Sequence, residues 1–159
     1  GQLASKRQVF NSYEKYADAR LTDIFNETDL KKAKKLTAHH QETTLFLSTE
    51  SKKFKTTTLP TQAQYAPVSE IITSDFNQDG NKDILLLGND DNYKLRIGKF
   101  DANYGTLLMG NTNGTYNYIP QTRSGLSITG SNTHAVLIGN QLILTSYGAP
   151  TKTYILDAK

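Results

Sequence analysis

The sequence predicts a mainly β chain of recurring sheets preceded by short helices, and three observations point that way. Beyond residue 42, short β-branched and aromatic runs alternate with Gly/Asn/Asp turns such as NQDGN, GNTNG and IGNQ. The segment LLMGNTNGTYNYIP has the layout of LFLSTESKKFKTTTLP: apolar strand, polar turn, aromatic-containing strand, proline. Units that recur about every 60–70 residues in this way mark radially repeated sheets. Residues 11–35, by contrast, place Tyr13, Tyr16, Ala17, Leu21, Ile24, Phe25 and Leu30 at helical spacing.

Ser12, Thr22 and Thr28 are the candidate helix caps, so this segment reads as short helices separated by kinks. Residues 1–42 form a helical N-terminal segment, and its apolar face is expected to pack on the sheets of residues 43–159. Thr43–Pro60 reads as a hairpin, two Thr-rich runs around a polar turn. The later strands are Val68–Thr73, Ile84–Gly88, Thr106–Met109, Thr115–Ile119, His134–Ile138, Leu142–Ser146 and Thr153–Leu156.

At 159 residues without cysteine, the chain is long enough to bury a core and has neither disulfides nor thiolate chemistry. Its net +3 comes from residues 1–60, which carry eleven basic and seven acidic side chains. The dense run KKAKK (Lys31–Lys35) has no stacking aromatics beside it and reads as a solvated helix face, so no nucleic-acid partner is expected. No apolar run reaches membrane-spanning length, and no membrane insertion is expected in this segment. The opening GQLASKRQVF reads as a cut made inside a longer protein, so the lack of a signal peptide there says nothing about secretion.

The stretch SDFNQDGNKDILLLG carries the sharpest chemistry. A hard cation such as Ca2+ takes six to eight oxygens from a flexible loop. Asp75, Asn77 and Asp79 stand at positions one, three and five, Gly80 at the sharp turn, Asn81 at seven and Asp83 at nine. Position twelve is Leu86, so this is no EF-hand, and Asp83 must close the site. The competing reading is an Asp-Gly hairpin turn with solvated acids, but a plain turn requires no carboxylates at positions one and nine.

DFNQDGNKDILLLGN resembles the FG-GAP/VCBS repeat, whose calcium loop joins the first two strands of a β-propeller blade in integrin α-subunit heads and many bacterial surface proteins. The resemblance covers about residues 43–157 and is strongest from Leu59 to Ile119. The wider stretch is similar to the propeller region of VCBS proteins with an ASPIC/UnbV-type C-terminus. It implies Asp75, Asn77, Asp79 and Asp83 as side-chain calcium ligands and Asn81 as a carbonyl ligand. It also implies an extracellular, periplasmic or cell-surface location. Only one full loop is present, because the next unit, HAVLIGNQLILTS, has no carboxylate in its turn.

Blades have four strands and a closed ring needs at least about four blades. The strands above supply one complete blade, Val68 to Ile119, half of one before it and three strands after it. The expectation is therefore a partial β-propeller with short N-terminal α-helices.

Other constellations carry less. In Asn89–Gly105 the side chains of Asp90, Asp91, Lys99, Asp101 and Tyr104 are candidates for a recognition surface, against a solvated loop with local ion pairs. Adjacent His39 and His40 would face opposite sides of a strand, and no spacing gives His134 an acid partner. No G-x-S-x-G elbow or phosphate loop occurs. Tyr93, Tyr104, Tyr116, Tyr118 and Tyr147 fall near loops and hairpin ends, either as blade packing or as a shared binding face. These features suggest a non-enzymatic, calcium-stabilised module that binds a protein or glycan. The alternative is an accessory or catalytic propeller domain of a polysaccharide-acting enzyme.

Overall fold

The computed structural model describes residues 10–93 and 98–156. Two compact units divide the chain, residues 1–40 and residues 41–159. In the first unit, α1 (Tyr13–Ala17), α2 (Leu21–Ile24) and α3 (Glu27–Lys32) are each about one turn long. Ser12 caps α1, its hydroxyl accepting from the Lys15 N–H at 3.2 Å. The other two caps differ from expectation. Thr22 and Thr28 lie inside the helices, while Arg20 and Asn26 stand at the caps. The Asn26 side chain accepts from the Asp29 N–H at 2.8 Å, and the Asp23 carboxylate accepts from the Arg20 N–H at 2.8 Å. Asn outranks Thr as a cap, and an ionised carboxylate gives a stronger bond than a hydroxyl. Ile24 is buried, whereas Tyr13, Tyr16 and Leu21 are exposed.

The second unit folds into three antiparallel sheets among the described residues. The first is the hairpin of β1 (Thr44–Ser48) and β2 (Phe54–Thr58). A meander of β3 (Val68–Ser74), β4 (Asp83–Gly88), β5 (Thr106–Gly110) and β6 (Tyr116–Ile119) makes the second. The third is a meander of β7 (Asn132–Ile138), β8 (Gln141–Ser146) and β9 (Ala149–Ile155). The expected complete four-stranded unit and its two partial neighbours are thus present. Among the described residues, the sheets form no closed barrel or ring.

The faint sequence repeat is exact in register. In β1–β2, Leu45 pairs with Thr57, Phe46 with Thr56, Leu47 with Lys55 and Ser48 with Phe54. In β5–β6, Leu107 pairs with Ile119, Leu108 with Tyr118, Met109 with Asn117 and Gly110 with Tyr116, matching position for position. Both turns use one left-handed residue, Lys52 (φ 56°) and Gly114 (φ 77°). Glycine meets that demand without strain, and lysine does not.

After each hairpin a proline starts one helical turn: Pro60 before the 3-10 helix Thr61–Gln64, and Pro120 before α4 (Gln121–Ser124). A glutamine in that turn reaches back to the carbonyl before the hairpin, Gln64 to Thr43 at 3.1 Å and Gln121 to Gly105 at 3.4 Å.

The hairpins β3–β4 and β7–β8 match in the same way. Val68 pairs with Gly88 and, past a bulge, Glu70 with Leu87 and so on to Ser74 with Asp83. Asn132 pairs with Ser146 and, past the corresponding bulge, His134 with Thr145 and so on to Ile138 with Gln141. Only the connection differs. Residues 75–82 join β3 to β4, while Gly139 and Asn140 suffice between β7 and β8.

The sheets stack face to face, and the two central strands of the middle one are buried on both sides. Ile84, Leu86 and Leu108 pack with Leu59, Ala63 and Leu45 toward the first hairpin. Ile72, Leu85, Leu87 and Leu107 pack with Leu126, Ile128, Leu142 and Leu144 toward the third sheet. β4 is therefore buried along its whole length, which explains an unbroken ILLL run in place of alternation.

Candidate metal centre

The Asp75–Lys82 loop turns on its own amides. The Asp75 carboxylate accepts from the backbone N–H groups of Asp79 at 3.0 Å and Gly80 at 2.9 Å. Asn77 Oδ1 accepts from the same Asp79 N–H at 3.2 Å, so oxygens from positions one and three meet on one amide. Asp79 Oδ1 accepts from the Asn81 backbone and side-chain N–H groups at 2.7 and 2.9 Å, and Asp79 Oδ2 from Asn77 Nδ2 at 2.9 Å. Gln78 (φ 60°) and Gly80 (φ 87°) take left-handed backbone, which lets eight residues reverse direction.

Asp83 is different in kind, being fully buried. Its Oδ2 accepts from the Phe76 N–H and its Oδ1 from the Gly110 N–H, both at 2.8 Å. One carboxylate thus ties the start of the loop to the end of β5. A Cβ at position 110 would collide with the Lys82 carbonyl, so this approach requires glycine.

The electrostatics follow this geometry. The backbone hydrogen bond from Asn81 and the side-chain bond from Asn77 hold the Asp79 carboxyl below its ordinary pKa. Burial, followed by the negative charge of Asp83, pushes the Tyr116 hydroxyl up. A depressed folded-state pKa stabilises above the unfolded pKa, and that contribution is lost as pH falls through the folded value. The Asp79 titration midpoint, followed by NMR, is therefore expected to lie below that of the isolated loop peptide. Equal midpoints would refute the bonding described.

As a cation site, the donor set of Asp75, Asn77, Asp79, Asn81 and Asp83 is entirely oxygen, which fits Ca2+. Among the described residues, no three His, Cys, Asp or Glu side chains come together at metal-holding distance. The carboxylates are turned to amides, and charged oxygens retain lone pairs beyond those the amides use.

Among the remaining candidates, His134 has a structural partner. The His134 imidazole lies 3.5 Å from the Glu70 carboxylate. These two residues hold equivalent positions on β7 and β3, a juxtaposition visible only once the repeat offset is known. His39 and His40 are exposed.

In the 89–105 connection, residues 94–97 lie outside the described residues. Lys99 pairs with Asp91 at 3.9 Å, and Tyr93 meets Phe100 edge-on at 4.9 Å. Buried Asn89 and Asn103 anchor the connection. Asn89 donates to the Asn103 carbonyl at 2.8 Å and Asn103 to the Leu86 carbonyl at 3.2 Å, an arrangement that hydropathy gave no reason to expect. Tyr104 lines an open groove of about 440 Å³ with Gln121, Thr122, Gly125, Leu126 and Ser127.

No family model, characterised protein or solved structure matches the chain.

Proposed function

We propose that this chain is a calcium-stabilised, blade-type β module of a propeller-like assembly, an FG-GAP/VCBS-like protein of the bacterial envelope or surface. It binds a protein or glycan partner without catalysis. The observation that carries this reading is the pairing of two equivalent hairpins in consecutive sheets, of which only the first carries the long oxygen-rich loop. An eight-residue connection with acids at positions one and five, closed by Asp83 at the start of β4, is more than the hairpin needs to turn, since the second manages with Gly139 and Asn140. Asp75, Asn77, Asp79 and Asp83 offer side-chain oxygens and Asn81 its carbonyl. Bound calcium supplies the positive charge that offsets repulsion among the three aspartates and fixes the turn. The role is structural.

Calorimetry is expected to show Ca2+ bound more tightly than Mg2+, because the loop has more oxygens than an octahedron uses. At a hundredfold excess over Kd, calcium adds about 2.7 kcal/mol of stability. Chelation should lower the melting temperature accordingly, and Asp79→Ala in calcium should melt like the chelated wild type. No heat with Ca2+, or a melting temperature that a chelator leaves unchanged in a loaded sample, overturns the calcium assignment. Turnover in a polysaccharide screen overturns the non-catalytic one.

A further inference from the structure

The two ends of the sheet stack are complementary to each other. Along the stack, every sheet meets its predecessor with one type of face and its successor with the other. The third sheet turns Leu142 and Leu144 to the second, and the second turns their register equivalents Ile84 and Leu86 to the first hairpin. In the opposite direction, the second sheet turns Ile72 and Leu85 to the third. The equivalents of these two residues on the third sheet are Val136 and Ile143.

Among the described residues, no sheet lies beyond that last face. Val136 is 49% exposed, and Ile138 and Ile155 on the same side are 60% and 57% exposed. At the other end, Phe46 and Phe54 are 58% and 71% exposed. Their equivalents in the second sheet, Leu108 and Tyr116, pack against the first hairpin. One terminus of the stack therefore displays the face that follows a sheet, and the other the face that precedes one.

We infer that these two faces bind each other between copies of this chain, head to tail, with Phe46 and Phe54 of one copy seated on Val136, Ile138 and Ile155 of the next. The occupant is a second copy because the same chain carries both halves of an interface already built twice within it. The contact is heterologous, so association does not stop at a dimer unless a ring closes. The inference rests on the register repeat and not on calcium, so it stands or falls apart from the calcium reading.

Sedimentation of the full chain over a hundredfold concentration range tests it. The weight-average mass is expected to rise beyond that of a dimer. Two double variants block one face each: Val136→Lys with Ile138→Lys, and Phe46→Lys with Phe54→Lys. Each alone is expected to stay monomeric, and an equimolar mixture to form a one-to-one dimer and nothing larger, since one intact interface remains. Circular dichroism melts of the variants show whether they remain folded, and the wild-type series decides the matter without them. A wild type that is monomeric throughout overturns the proposal. So does a wild-type dimer that persists in both variants, because that contact would be of another kind.

Discussion

Replacing Leu85 by alanine is expected to cost about 3 kcal/mol, whereas the same change at Ile143 costs less than about 1 kcal/mol. The two residues occupy equivalent register positions, Leu85 opposite Ile72 and Ile143 opposite Val136. They differ in what lies above them. Leu85 is 1% exposed because the third sheet covers it, and truncation there leaves a cavity that β4, pinned between two sheets, cannot collapse to fill. Ile143 is only partly buried, and among the described residues no further sheet covers it. For a unit of this size the Leu85→Ala loss corresponds to a fall in melting temperature of roughly 10 °C. The comparison belongs at a dilution where the chain is monomeric. Equal losses at the two sites would show that the third sheet is covered within the monomer and would contradict the open-ended stack.

Much of the strand order was legible because its signals are local. Turn residues at 77–81, 110–114 and 139–140 punctuate runs whose apolar content has few other uses. The glutamines and prolines that end both hairpins were half legible, since proline marks a stop but not the helical turn behind it. The helix caps were misassigned because Thr22 and Thr28 compete with Asn26 and Asp23 within one or two residues, and propensity does not resolve such short spacing.

At the candidate site, the loop's oxygen spacing was plain in the sequence. The double engagement of Asp83 was not, because its partner Gly110 lies twenty-seven residues on and donates a backbone N–H, which carries no residue-type signal. The Asn89–Asn103 bonds and the Glu70–His134 pair escaped notice because the fold alone brings together residues that lie apart in the sequence.

Asp83→Ala is expected to destabilise the protein by about 3 kcal/mol even with calcium removed, and in this it differs from Asp79→Ala. An unsatisfied buried amide costs about 1–3 kcal/mol, and removing the Asp83 carboxylate orphans two, the N–H groups of Phe76 and Gly110. Asp79, by contrast, is exposed and serves amides that water can reach, so its removal should cost far less than that of Asp83 once calcium is removed. Asp83→Asn separates charge from shape. The amide keeps one accepting oxygen but turns N–H groups toward a donor, so its loss should fall between those of wild type and alanine. Melting curves of the three proteins in excess chelator decide the issue. If Asp83→Ala melts there like the wild type, the carboxylate is not what joins the loop to β5, and its burial would have to be attributed to calcium alone.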